Sequence, residues 1–190
     1  MIKIKLVFLT LLYLPHLLLF TSSKRKNVII ADVKVFVANE NPRVGGGILS
    51  VVFAISDPYF RKLFYYRLGK KSKFVSWYSP GEENLKFSSR LILGEGCYVA
   101  HAYSTYINAK NVGKNLAIRN CTTIGNKSDN DVDALPVIGD NVSIGANVCI
   151  IGDIVIGNNV VIGAGSVVVK DIPDNSIVVG NPGRVIKTIS

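Results

Sequence analysis

The chain has 190 residues, 48% of them hydrophobic, and 22 Lys and Arg against 13 Asp and Glu give it a net charge of +9. That length holds one catalytic module with an accessory segment and excludes two independent enzymes. The charge is uneven, with 15 basic and 5 acidic side chains in residues 1–90 against 7 and 8 in residues 91–190. Because the basic half has neither aromatic platforms nor a recognition helix, no nucleic-acid partner is expected.

Residues 6–20, LVFLTLLYLPHLLLF, are nearly all apolar. As a helix they reach ~22 Å, short of the ~30 Å hydrocarbon core, and Pro15 and His16 interrupt them, so a spanning helix is not expected. Lys3 and Lys5 precede the run and Lys24, Arg25 and Lys26 follow it. The preferred reading is a helix or hairpin lying at the cytoplasmic membrane face with the basic cluster among the headgroups. A signal peptide and packing against a neighbouring subunit are the alternatives.

Residues 28–38 and 44–55 are apolar enough for two further short elements, and Gly45, Gly46 and Gly47 mark a turn between them. With no Lys-Ser/Thr pair and no GxGxxG spacing, the triple glycine is not a nucleotide loop. Asp57, Pro58 and Gly69 read as the cap, first position and stop of a helix. Its apolar face is Phe60, Leu63, Phe64 and Leu68, which leaves Arg61, Lys62 and Arg67 toward solvent or phosphate. Lys70, Lys71 and Lys73 read as a solvated charge run.

From about residue 88 a six-residue repeat begins imperfectly, at Leu91, Leu93 and Gly94, and it becomes regular between 138 and 168. Ile138, Ile144, Ile150, Ile156, Ile162 and Val168 share one register, and Gly139, Gly145, Gly157 and Gly163 follow four of them. A 3.6-residue helix cannot hold that register, whereas short strands joined by tight, glycine-permitted turns can. Three such strands make one triangular coil of a β-solenoid. Between Ile124 and Ile138 the register slips by two, so the polar stretch Asn126–Asp133 leaves the solenoid as a loop, with Asp129, Asp131 and Asp133 read as solvated. The chain thus divides into a mainly helical segment, residues 1–87, and a β-helix domain, residues 88–190, with a loop at 126–136 and a C-terminal tail. Cys97, Cys121 and Cys149 lack CxxC spacing and read as small buried hydrophobes in a reducing compartment.

The segments beginning at His101 (HAYSTYINA), Thr122 (TTIGNK), Val161 (VIGAGSVVVKDIP) and Gly180 (GNPGR) resemble the hexapeptide-repeat acyltransferases, in their serine acetyltransferase-like branch. The resemblance covers roughly residues 57–187. It implies a mainly β fold, a left-handed parallel β-helix, assembled as a homotrimer with acetyl-CoA bound between adjacent prisms. It also implies His101 as the catalytic base, which agrees with its being the one histidine of the solenoid. By the same resemblance Ala146 and Ala164 would present backbone to the pantetheine arm. Val169 and Lys170 match the pair that follows, and Arg184 and Lys187 match the residues that reach the nucleotide phosphates. No metal is expected, since a metal solenoid would need three histidine ligands.

Four departures separate the chain from dedicated serine acetyltransferases. By spacing, their aspartate falls near Lys86 here, Ala134-Leu135-Pro136 stands where they have a second histidine, their long amino-terminal helical domain is reduced, and the stretch between His101 and Val112 is one residue shorter. The expectation is therefore an acetyl-CoA-dependent O-acetyltransferase acting directly, without an acyl-enzyme, in the cytoplasm at the inner membrane face. The favoured acceptor is a sugar hydroxyl of a surface polysaccharide or its precursor. L-serine and an inactive scaffold subunit remain as alternatives, and Cys97 is the thiol nearest His101 in sequence.

Overall fold

In the computed structural model the six-residue register closes into coils. It describes residues 2–128 and 130–188, with side chains from Val7 onward, and Asp129 of the acidic loop lies outside the described residues. The chain forms two units, Met1–Glu83 and Asn84–Ser190.

The second unit is a parallel β-solenoid of five triangular turns, as expected from the repeat. Its first face holds β1 (Leu85–Phe87), β4 (Thr105–Ile107), β7 (Thr123–Gly125), β10 (Cys149–Ile151) and β13 (Val167–Val168). The second holds β2 (Ile92–Leu93), β5 (Asn111–Val112), β8 (Val137–Ile138) and β11 (Val155–Ile156), and Ile172 adds a bridge to Ile156. The third holds β3 (Tyr98–Ala100), β6 (Ala117–Arg119), β9 (Ser143–Ile144), β12 (Val161–Ile162) and β14 (Ser176–Val179), closed by the antiparallel β15 (Arg184–Thr188). Each face sends one buried column inward, such as Val99, Ile118, Ile144, Ile162 and Val178. The first coil opens at β1, three residues ahead of the visible repeat, because Leu85 fills the inward position with no glycine behind it.

The repeat glycines serve the corners differently from the sequence expectation. Gly94, Gly113, Gly139 and Gly157 stack where the second face turns into the third, and their φ angles are not left-handed. What they supply is proximity. A Cβ on Gly139 would lie 2.8 Å from both the carbonyl carbon and the oxygen of Gly157 in the next coil. The left-handed residues are Asn115, Asn141, Asn159 and Asn175, with φ of 56–58°. Asparagine tolerates that region because its side chain bonds locally. Here each Nδ2 donates to the next Oδ1, Asn115 to Asn141 at 2.8 Å, Asn141 to Asn159 at 3.0 Å and Asn159 to Asn175 at 2.9 Å.

The first unit comprises α1 (Ile2–Leu12), α2 (Leu14–Thr21), α3 (Lys26–Glu40), α4 (Ile48–Ser56), α5 (Pro58–Leu68) and α6 (Lys73–Ser76). No described helix is long and apolar enough to cross a membrane. The apolar run breaks at Tyr13, and Pro15 sits harmlessly in the first turn of α2. Asp57 caps α5 by accepting from the amides of Tyr59 and Phe60, and Gly69 ends it at φ 60°. Arg61 and Arg67, expected toward solvent, are buried. Arg61 donates to the carbonyls of Pro80 and Ile55 and to the Tyr13 hydroxyl. Arg67 makes a two-point ion pair with Asp32, at 2.8 and 3.2 Å. Both guanidiniums are affordable inside because their donors are satisfied.

His16 is fully buried, with Nε2 2.8 Å from the Tyr65 hydroxyl and Nδ1 3.1 Å from that of Tyr78. The Tyr65 hydroxyl gives its proton to the Ser79 carbonyl. It must therefore accept from Nε2, and in the neutral imidazole Tyr78 donates to Nδ1. Burial, helped by the Arg61 charge, lowers the pKa of His16 from 6.5 to about 4.

Two outcomes follow from these contacts. Gly139→Ala is expected to cost about 1–3 kcal/mol and to lower Tm by several degrees, while Gly125→Ala, whose Cβ meets nothing within 4 Å, stays close to wild type. The unfolded chain protonates His16 near 6.5 and the folded chain near 4, so its contribution is full above the first value and lost as pH falls toward the second. The loss is about 3 kcal/mol. Thermal unfolding followed by helical ellipticity should decline across that window in wild type and decline less in His16→Gln.

Candidate active site

The site is defined by a break in register at the corner where the third face turns into the first. Ala100 lies opposite Arg119, and Tyr106 lies opposite Thr123. The first coil therefore spends two more residues on this corner than the second, and they are His101 and Ala102. In later coils the corner holds one left-handed residue each, Cys121, Asn147 and Gly165, with Ser104 in the same column of the first coil. His101 is an additional one, at φ 47°. Such a conformation costs an L-residue about 1–2 kcal/mol, and a strained residue of this kind points toward function. The insertion is pinned by Ala102, which is fully buried, and by the Tyr103 amide donating to the His101 carbonyl at 2.8 Å. The imidazole itself is exposed.

Ala146 and Ala164 occupy this same corner in the third and fourth coils, where the Ala146 carbonyl accepts from Gly165 at 2.9 Å. Gly145 presses against the next coil, since a Cβ there would stand 2.6 Å from the Ala164 nitrogen. Small side chains thus leave the backbone uncovered along the edge that runs from His101. With coils about 4.8 Å apart, Ala164 lies roughly 14 Å along the axis from His101. Arg184 opens β15 opposite Val179, beside Gly163, and so returns to this edge at the last coil. Lys187 pairs with Ile177 at the far end of β14. Val169 and Lys170 follow β13 and stand at the next corner, across the first face. The structure therefore groups His101, Ala146, Ala164 and Arg184 on one edge and holds Val169, Lys170 and Lys187 away from it.

The loop at 126–136 leaves from that next corner as well. It is held by Arg90, whose guanidinium bonds Asp133 at 2.7 Å and the Val132 carbonyl at 3.2 Å. Asp131 accepts from the Ala134 amide, and Leu135 is buried. Lys86 is exposed on β1 opposite Tyr106. Cys97 is buried, which removes it as a nucleophile, while Cys121 and Cys149 are only half-buried. Among the described residues no group of three His, Cys, Asp or Glu side chains is placed to hold a metal ion.

Arg119, the neighbour of Ala100 in the next coil, and the Arg90 clamp were not anticipated. The sequence signal for Arg119 is its 19-residue step from Ala100, one more than three six-residue strands.

Triangular coils built on a six-residue period define the hexapeptide-repeat solenoid, and known proteins match it at three levels. Residues 136–170 fit the family model described as bacterial transferase hexapeptide (six repeats). Over 95 residues, 49% of this chain, it is 48% identical to the putative colanic acid biosynthesis acetyltransferase WcaB of Escherichia coli (strain K12). It is 44% identical over 95 residues to serine acetyltransferase 1, chloroplastic, of Arabidopsis thaliana. The crystal structure of Neisseria gonorrhoeae serine acetyltransferase matches 90% of this chain and 69% of its own with a TM-score of 0.73 at 26% identity. In sequence and fold the chain is similar to the hexapeptide-repeat acyltransferases, serine acetyltransferases among them. The matched stretch spans 57% of the colanic acid protein and 30% of the plant enzyme.

The backbone at His101 gives a direct test. His101→Gly and His101→Ala both delete the imidazole, but only alanine keeps the left-handed cost. The glycine variant is expected to be more stable by about 1 kcal/mol, a difference of a few degrees in paired melting curves.

Proposed function

We propose that the chain is an acetyl-CoA-dependent O-acetyltransferase with His101 as general base. The single observation that carries this reading is the two-residue insertion that projects His101 at the head of the edge carrying Ala146 and Ala164. As the acceptor oxygen attacks the thioester carbonyl, the imidazole takes the hydroxyl proton. The tetrahedral intermediate then collapses, the carbon–sulfur bond breaks, and the imidazolium returns the proton to the CoA thiolate. No acyl-enzyme forms. Ala146 and Ala164 admit the pantetheine arm, and Arg184 takes a phosphate at the far end of the edge. Val169, Lys170 and Lys187 belong to the donor site only if a second prism brings them there. The loop at 126–136 would likewise reach His101 from a neighbouring copy. Both relations favour the homotrimer.

The favoured acceptor is a sugar hydroxyl of a surface polysaccharide or its lipid-linked precursor. Its support is the 48% identity to the colanic acid relative, with Lys86 and Ala134–Pro136 in place of serine-handling groups. L-serine is the second reading, supported by the fold match to serine acetyltransferases. Use of acetyl-CoA as donor supports a reaction in the cytoplasm, and the basic apolar helical unit supports a place at the inner membrane face.

The test is CoA thiol release from acetyl-CoA by wild type and His101→Ala, offered L-serine and a panel of mono- and oligosaccharides. Release with one acceptor class, falling ~10²- to 10⁴-fold in the variant, is the expected result. Equal rates in both proteins would remove His101 as base, and failure of acetyl-CoA to raise Tm would favour an inactive scaffold.

A further inference from the structure

The helical unit carries apolar surface on the wrong side of its first two helices. Tyr13, His16, Leu17 and Phe20 supply its core, yet the opposite face of α1 and α2 exposes Phe8 at 71%, Leu11 at 73% and Leu18 at 62%. A second exposed pair stands at α6, where Phe74 is 75% and Trp77 79% exposed. The Trp77 ring packs edge-on against Tyr78 at 5.3 Å, and Tyr78 hydrogen-bonds His16 of α2, which ties α6 to that helix. Exposed apolar surface of this extent marks a contact surface.

The charge beside it has one sign. Between the turn after α2 and the turn after α5 lies a cavity of about 380 Å³ lined by Ser22, Ser23, Lys24, Arg25, Arg67 and Lys71, among others. No carboxylate lines it, and Arg67 is already neutralised by Asp32. Among the described residues Lys24, Arg25 and Lys71 form no ion pair, and all three are exposed. The first acidic residue of the chain is Asp32, and it is buried in that pair. Lys70 and Lys73, on either side of Lys71 in sequence, are exposed as well.

We propose that this face docks in the plane of an anionic phospholipid surface. The α1–α2 face with Phe74 and Trp77 would enter the headgroup boundary, and the Lys24–Arg25–Lys71 cavity would seat lipid phosphates. The charges favour a lipid surface over a second copy of the chain. A two-fold contact on the apolar face would bring the same cations of both copies together, whereas each Lys or Arg near an anionic leaflet gains about 1 kcal/mol. Aromatic rings flanked by lysines are suited to the interface, and the helices lie on it without crossing. The proposal specifies the lipid class for the membrane-side placement given above, and it stands independently of acetyl transfer by His101.

Trp77 is the single tryptophan of the chain, so its fluorescence reports on this face alone. The full-length protein would be titrated with phosphatidylcholine vesicles, with phosphatidylcholine–phosphatidylglycerol vesicles, and with inorganic phosphate. A blue shift with the anionic vesicles only, reversed by high salt, is expected. The Lys24→Glu/Arg25→Glu/Lys71→Glu variant should weaken binding at least about a hundredfold while keeping the wild-type circular dichroism, because these side chains are exposed and unpaired. Phe8→Ser/Leu11→Ser provides a second variant and should reduce binding without changing its salt dependence. Equal binding to neutral vesicles, no shift with any vesicle, or a response to inorganic phosphate alone would overturn the proposal. So would a blue shift that grows with protein concentration in the absence of lipid, since a second copy would then own the face. CoA release measured on the same preparation separates the two readings: transfer without vesicle binding removes only the lipid surface, and vesicle binding without transfer removes only the enzyme.

Discussion

The closeness of successive coils at one corner governs the solenoid. Where Gly139 lies against Gly157 no Cβ fits, so the backbone of each coil settles directly on the next and the whole stack is locked in parallel register. With that register fixed, equivalent residues form columns. Inward aliphatics fill the core, left-handed asparagines share hydrogen bonds, and buried hydroxyls such as Thr122 and Ser166 satisfy backbone carbonyls at the opposite corner. A structure this regular makes any irregularity local. Two additional residues in one coil cannot be absorbed by a neighbour that has no slack, so they are extruded, and His101 is what they expose.

The helical unit is organised by another rule. Its interior is polar at the places where helices meet, with Arg61, Arg67 and His16 each buried among satisfied partners. A core of this type specifies one arrangement more sharply than aliphatic packing does, because misplacing any helix would strand a charge or a donor. It also makes the unit sensitive to acid in a way that the nearly uncharged solenoid interior is not.

What the sequence disclosed depended on whether periodicity carried the information. The coils, the loop after Gly125 and both ends of α5 were legible, since each follows from spacing or from a cap residue with a local cause. The burial of Arg61 and Arg67 was not, because a helical wheel records which face is apolar but not that Pro80 and Asp32 will come to meet the other one. The repeat glycines were identified correctly as corner residues but for the wrong reason: a contact between coils is a tertiary fact, and φ freedom was the local explanation available. At the site, resemblance selected His101, but the two-residue insertion that presents it appears only when Ala100 and Tyr106 are aligned with the following coil. The division of Lys170 from Ala164 between two corners was equally invisible in a linear motif.

The antiparallel strand β15 has a consequence for the molecule as a building block. A parallel solenoid ends in strands whose free backbone groups could template another chain, and regular coils make that template flat and repetitive. By reversing direction, β15 covers the third face with a strand of opposite polarity that no further parallel coil can extend, and its five residues are all exposed. Arg184 and Lys187 place two cations on that strand, so a tail-to-tail contact of two solenoids through it would press like charges together. On the third face the coils therefore close in a strand whose direction no further parallel coil can match in register.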